Sequence, residues 1–172
     1  MRKIILQLAV SLDGFIEGPE GEYDWCLTDQ DYGQSEFFQR IDAVFYGRKT
    51  YEMMLNMADQ NDIWLPKLKE YIFSNTIDQV KAGAFLVKGN IEEQVVKIKK
   101  SRGKDIWLFG GSELTSSLIN LGLVDEISLA VHPILLGAGK PLFHLIRERV
   151  NLKLLDTKSF SSGLVTLTYQ VK

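Results

Sequence analysis

Short apolar runs alternate with amphipathic stretches along the chain. Runs with strand character fall near 3–10, 43–47, 70–74, 84–87, 105–109, 125–131, 150–156 and 164–171. Between several of them, apolar positions recur at helical spacing and predict helices near 30–40, 49–57, 91–101 and 112–121. In the last of these, Leu114, Leu118, Ile119 and Leu121 share one face. Strand–helix alternation predicts a three-layer α/β fold with a mostly parallel sheet covered on both sides. The final two runs are joined through Ser161-Ser162-Gly163 with no helix between them, which predicts an antiparallel hairpin at one edge. Gly103 and Gly122 each follow a predicted helix and are expected to cap it.

Two junctions stand out. Ile106 to Phe109 is an apolar run that stops at Gly110-Gly111, and a helical pattern starts at once with Ser112, Glu113 and Leu114. Ala43-Val44-Phe45-Tyr46 likewise stops at Gly47, and Arg48-Lys49-Thr50 opens the next helix. A helix N-terminus carries unpaired N–H groups and the positive end of the helix dipole, so it attracts anions. Glycine lets the backbone come close to a ligand. Arg48 suits a bidentate phosphate contact, Lys49 acts as a point charge, and Thr50 offers a hydroxyl. Two such units on one sheet fit a ligand with more than one phosphate. Arg48 and Lys49 also have a plainer reading as a solvated helix start.

Composition narrows the class. At 172 residues the chain is expected to form one domain spanning 1–172. A net charge of −2 argues against general nucleic-acid or membrane-surface binding. Gln7 interrupts the N-terminal apolar run and Asp13 closes it, so that run reads as a strand rather than a signal peptide. No stretch approaches the ~20 apolar residues of a membrane span. Cys26 is the only cysteine, which excludes an internal disulfide and fits a cytoplasmic location. His132, His144 and Cys26 show no metal-ligand spacing, and no metal is expected.

Two long loops are predicted. Ser11 to Thr28 contains Gly14, Gly18 and Gly21, and is expected to act as a lid anchored by Trp25. His132 to Leu142 contains Gly137 and Gly139, which could serve a close approach to a ligand or partner, or simply turn the chain.

Taken in order, Ser11-Leu-Asp-Gly14, Gly47-Arg-Lys-Thr50, Phe109-Gly-Gly-Ser-Glu-Leu114, Leu123-Val-Asp-Glu126 and Pro133-Ile-Leu-Leu-Gly-Ala-Gly139 followed by Leu142-Phe143 make the chain resemble the dihydrofolate reductase-like superfamily. Within it, the chain is most similar to the C-terminal reductase domain of the riboflavin-biosynthesis deaminase-reductase and its stand-alone relatives. The resemblance covers nearly the whole chain and implies a fold that binds NADPH. It places Gly47, Arg48, Lys49 and Thr50 at the adenosine-side phosphates, and Ser74, Asn75 and Thr76 near the 2′-phosphate and adenine. Phe109, Gly110, Gly111, Ser112, Glu113 and Leu114 would hold the pyrophosphate and flank the nicotinamide, with Gly110–Gly111 as a cis peptide. Ala9 and Val10 would offer backbone groups to the nicotinamide amide.

Side chains for the chemistry are less defined. In dihydrofolate reductases a first-helix carboxylate holds the pterin, and here Asp29 and Asp31 lie near the expected place. Both also fit helix-cap and dipole roles. Asp13 is the third candidate for proton handling or substrate contact, or it starts an Asx-type turn. Trp25, Phe37, Met53 and Met54 are candidates for the substrate pocket. His132 reads as structural. The expected function is NADPH-dependent reduction, by hydride transfer, of a small heterocycle such as a pterin or ribosylaminopyrimidine. The alternatives are true dihydrofolate reduction and a non-catalytic dinucleotide-binding module. No zinc-deaminase signature is present, so both riboflavin steps are not expected of this chain. A small-molecule substrate and a homodimer are expected; nucleic acid and membrane are not.

Overall fold

The computed structural model describes residues 1–59 and 65–172. In chain order the strands are β1 (Ile4–Ser11), β2 (Phe15–Glu17), β3 (Ile41–Gly47), β4 (Lys69–Phe73), β5 (Phe85–Val87), β6 (Asp105–Gly110), β7 (Glu126–His132), β8 (Lys140–Pro141), β9 (Leu152–Ser159) and β10 (Val165–Val171). The helices are α1 (Gln34–Arg40), α2 (Arg48–Asp59), α3 (Ile91–Lys100) and α4 (Ser112–Asn120). Eight strands form one sheet in the order β5-β4-β3-β6-β1-β7-β10-β9. The first six run parallel, and β10 pairs antiparallel with both β7 and β9. The expected mostly parallel sheet with an antiparallel edge hairpin is therefore the architecture found.

Central strands are apolar on both sides because both sides are covered. On one side Ile4, Leu6, Phe45 and Leu108 pack with Val95 of α3 and Leu114 and Leu118 of α4. On the other, Ile5, Val44, Tyr46 and Trp107 pack with Phe37 of α1 and Tyr51 and Met54 of α2. Among the described residues, no helix is long and apolar enough to cross a membrane.

Three local differences from the sequence reading have physical causes. The first helix begins at Gln34, four residues later than predicted. Tyr32 (φ 51°) and Gly33 (φ 86°) are both left-handed and stop the helix from extending backward. Gly122 does cap α4: its N–H donates to Ile119 O and that of Leu123 donates to Leu118 O. Gly103 does not cap α3, which ends at Lys100 with Ser101 as its C-cap. A Cβ on Gly103 would sit 2.7 Å from Asp42 Oδ2, so glycine there makes room for the Arg2–Asp42 ion pair. Finally, the two predicted loops are not wholly irregular. β2 and β8 form a small antiparallel sheet between them.

Candidate active site

β3 and β6 are neighbours, and Tyr46 pairs with Gly110. The helices that follow these strands therefore start side by side. The Gly110–Gly111 peptide is cis. A Cβ on Gly47 would sit 3.6 Å from Gly111 N and 3.7 Å from Gly110 O. One on Gly111 would lie 3.3 Å from Thr50 Oγ1, so glycine keeps this junction narrow and its backbone accessible.

A cleft of about 350 Å³ opens here. Gly47, Arg48, Lys49, Thr50, Ser74, Asn75, Gly111, Ser112, Glu113 and Leu114 line it. Thus most of the expected cofactor residues meet in one place. Ser112 is fully buried, and its hydroxyl has no partner among the described residues. A buried polar group without a partner costs about 1–3 kcal/mol, which a ligand acceptor could offset.

The cations around the cleft are engaged. Arg48 makes a two-pronged contact with Glu52, at 2.9 and 3.0 Å. Lys49 Nζ reaches across to Glu113 at 3.9 Å. At the far wall, Ser74 Oγ accepts from the N–H of Thr76 and Ile77, and Asn75 Oδ1 accepts from Gly89 N. Thr76 stays exposed and does not line the cleft. Sequence reasoning missed Phe73, Val87, Gly89, Ile91, Ser117 and Lys140, which also line the cleft; Lys140 of β8 is the one charged group among them, held 3.3 Å from Glu17 of β2.

Ala9, Val10, Phe109 and Gly110 do not line this cleft. Val10 is buried, and Ala9 is partly exposed. Phe109 packs against Trp107 and Tyr46, at ring-centroid distances of 4.8 and 5.6 Å. Phe37 stacks edge-on against Trp107, and Met54 is buried with Met53 packed against the same cluster.

Asp13 bonds to a different part of the chain from Asp29 and Asp31, which share the turn before α1. Asp13 accepts from Ser11 Oγ (2.7 Å), Gly137 N (2.8 Å) and Leu136 N (3.1 Å). The Ser11 hydroxyl, then these amides, hold its carboxyl below the usual aspartate range, although its limited desolvation opposes them. Asp13 thus clasps the 132–142 segment onto the end of β1. Asp31 accepts from Ser35 N and Oγ and from Gly33 N, so it caps the start of α1, and the same bonds lower its pKa. Asp29 accepts from the Tyr32 hydroxyl at 2.6 Å. Both residues precede α1 rather than lying on it. The only carboxylate within α1, Glu36, is exposed and faces Lys158 at 3.5 Å. On the sheet side, α1 presents Gln34, which bonds to Gln7 of β1.

Trp25 is half-buried and meets His132 edge-on, with centroids 5.3 Å apart. His132 is buried, and its Nδ1 lies 2.9 Å from Ala130 O. Burial lowers its pKa below that of an ordinary histidine.

Strand order, paired glycine-led helices and the cis Gly110–Gly111 peptide together define a dihydrofolate reductase-like domain. A dihydrofolate reductase from Enterococcus faecalis, solved with NADP(H), superposes at TM-score 0.70 with 20% identity, covering 99% of this chain and 96% of that one. The RibD C-terminal domain family matches residues 2–166, and the chain belongs to that family. It is 46% identical to the uncharacterized YyaP of Bacillus subtilis (strain 168), over 98% of this chain and 94% of YyaP. A protein from Shewanella sp. PV-4, provisionally named for riboflavin biosynthesis, superposes at TM-score 0.85 with 27% identity over 99% of both chains.

Proposed function

We propose that this protein is an NADPH-dependent reductase of a small heterocyclic substrate, related to the reductases of riboflavin biosynthesis. The observation that carries the reading is the pair of adjacent helix N-termini over Gly47 and Gly111, which line one cleft together with Ser112, whose buried hydroxyl has no partner among the described residues. This donor set suits a dinucleotide pyrophosphate. Arg48, Lys49 and Lys140 add positive charge, and Ser74 and Asn75 add polar groups for the adenosine end. When bound, the cofactor supplies the hydride. The chain's own work is to orient it, exclude water and bring a proton to the substrate. The three candidate carboxylates are each engaged in local hydrogen bonds.

A homodimer is part of the same reading. Every residue of edge strand β9 is exposed, including Leu152, Leu154 and Leu155, and Leu135 and Phe143 add apolar area. A symmetric pairing would cover this edge, and light scattering should return about twice 19.5 kDa. A cytoplasmic location fits the single cysteine and the NADPH requirement.

Calorimetric titration of NADPH tests the cofactor assignment. Ligand at ~100 times its dissociation constant should stabilise the fold by about 2.7 kcal/mol. No heat and no thermal shift with either NADPH or NADH would refute it.

A further inference from the structure

Among the described residues three cations line the cleft, and their counter-ions lie in different places. Arg48 is paired with Glu52 one turn along its own helix, and Lys49 with Glu113 of α4. Both carboxylates belong to the two helices that frame the cleft, so any exchange of partners there stays local. Lys140 differs. Its Nζ lies 3.9 Å from the position a Cβ on Gly111 would take, and 3.3 Å from Oε1 of Glu17. Glu17 itself does not line the cleft. It ends β2, in the segment that runs on to Trp25.

The ribbon that carries this pair is closely packed. Glu17 and Lys140 face each other in the β2–β8 register, and a side chain at Gly139 would collide with Glu17 O. A cross-strand ion pair reached by water contributes little to folding. It needs no place in a cleft to do so, whereas this ammonium stands beside a helix start, where anions collect. Beyond Glu17 the chain of contacts is short. Gly18, the next residue, donates its N–H to Glu22 O at 2.9 Å, and the Trp25 indole N–H donates to the same oxygen at 3.3 Å. One carbonyl therefore joins the neighbour of Glu17 to the indole. Trp25 in turn meets His132 edge-on.

We propose that Lys140 and Glu17 couple occupancy of the cleft to the Trp25 turn: a diphosphate in the cleft fixes Lys140, Lys140 fixes Glu17, and the turn from Gly18 to Trp25 is ordered in consequence. The inference rests on the cofactor reading above and concerns how that site is tied to the rest of the chain. An ammonium has three N–H donors, so it can hold a carboxylate and a phosphate oxygen at once. With the cation in the middle, each anion lies one contact distance from it and about twice that from the other anion, so attraction outweighs repulsion. A ligand also displaces water from the cleft, and the ion pair strengthens as the local dielectric falls. Such coupling is reciprocal: the order that a diphosphate gives the turn, the ordered turn returns as affinity.

The test follows hydrogen exchange of the Trp25 indole N–H by NMR, its peak assigned with Trp25→Phe. NADPH and inorganic pyrophosphate serve as separate probes. Saturation with either should slow that exchange about threefold to fivefold in wild type at low salt, the range that one exposed ion pair supports. Lys140→Met and Glu17→Gln should each remove the effect. Glu17→Gln should also weaken pyrophosphate binding about twofold to fivefold, but should change nothing when Lys140→Met is already present. A Trp25 response that survives in Glu17→Gln, or tighter pyrophosphate binding by that variant, overturns the proposal. So does a wild type whose indole ignores both probes. If Glu17→Gln fails to fold, a response retained in Lys140→Met overturns it instead. Should pyrophosphate elicit the Lys140-dependent response while NADPH does not bind, the cofactor reading falls and the coupling stands. NADPH binding with no Trp25 response to either probe keeps the cofactor reading and removes the coupling.

Discussion

The two strand–glycine–helix units look alike in sequence but equip the cleft differently. The β3–α2 unit brings charge, and much of it is already balanced: Arg48 is clamped by Glu52, and Lys49 faces Glu113. The β6–α4 unit brings no cation to the cleft, and its one charge there is the Glu113 carboxylate. It offers backbone at a cis Gly110–Gly111 turn and a buried hydroxyl at Ser112. One unit can trade weak exposed ion pairs for a ligand's charge, at little cost for breaking them. The other offers groups with no competing partner, in fixed geometry. Binding strength should therefore come mainly from the backbone of the β6–α4 unit, and discrimination between phosphorylated and plain cofactors from the cations of the β3–α2 unit.

Gly111→Val tests the first half of that contrast. Even its Cβ lands 3.3 Å from Thr50 Oγ1, and the branched methyls enter the cleft. NADPH affinity by calorimetry should fall about a hundredfold or more, equivalent to roughly 2.7 kcal/mol. A drop as small as threefold would break the comparison. Arg48→Ala tests the second half. NADPH affinity should fall about ten- to a hundredfold while NADH affinity barely moves, since one charge-assisted contact is worth roughly 1.5–3 kcal/mol. Equal losses for both cofactors would show that Arg48 does not read the extra phosphate.

Lys140→Ala should weaken both cofactors by about fivefold to tenfold, because its flexible ammonium is shared with Glu17 and acts as a point charge. Glu52→Gln has the smallest expected effect and the opposite sign. It frees Arg48 and should tighten NADPH binding by about twofold to threefold at low salt, with the gain fading as salt rises. Weaker binding would mean that Glu52 holds Arg48 in its working position.

Both units were legible in the sequence because each needs only local signals: an apolar run, glycine, then a helical repeat. The eight strands of the main sheet were legible for the same reason, and their ends moved by only a few residues. What escaped depended on contacts between distant segments. Lys140 sits in a glycine-rich loop with no periodicity, and chain reversal alone brings it to Gly111. β2 and β8 are too short to leave an alternation. The start of α1 was misplaced because Asp29, Gln30 and Asp31 are plausible helix openers, whereas Tyr32 and Gly33 adopt left-handed backbone. Gln7 registered only as a break in an apolar run. Its pairing with Gln34 is visible only once α1 is laid against β1.

The clasp at Asp13 has a consequence for anyone re-engineering the protein. Leu12 N donates to Ile134 O, Asp13 accepts from Leu136 and Gly137, Leu142 N donates to Gly14 O, and Phe15 pairs with Pro141. The segments 11–17 and 132–142 are therefore laced together at every few residues. Transplanting either one alone from a relative would leave backbone donors and a carboxylate without their mates, whereas the two exchanged together should carry their shape with them. Just past the first segment, the tip of the turn at residues 19–21 lies beyond the lacing and is the natural place to lengthen, shorten or tag the chain.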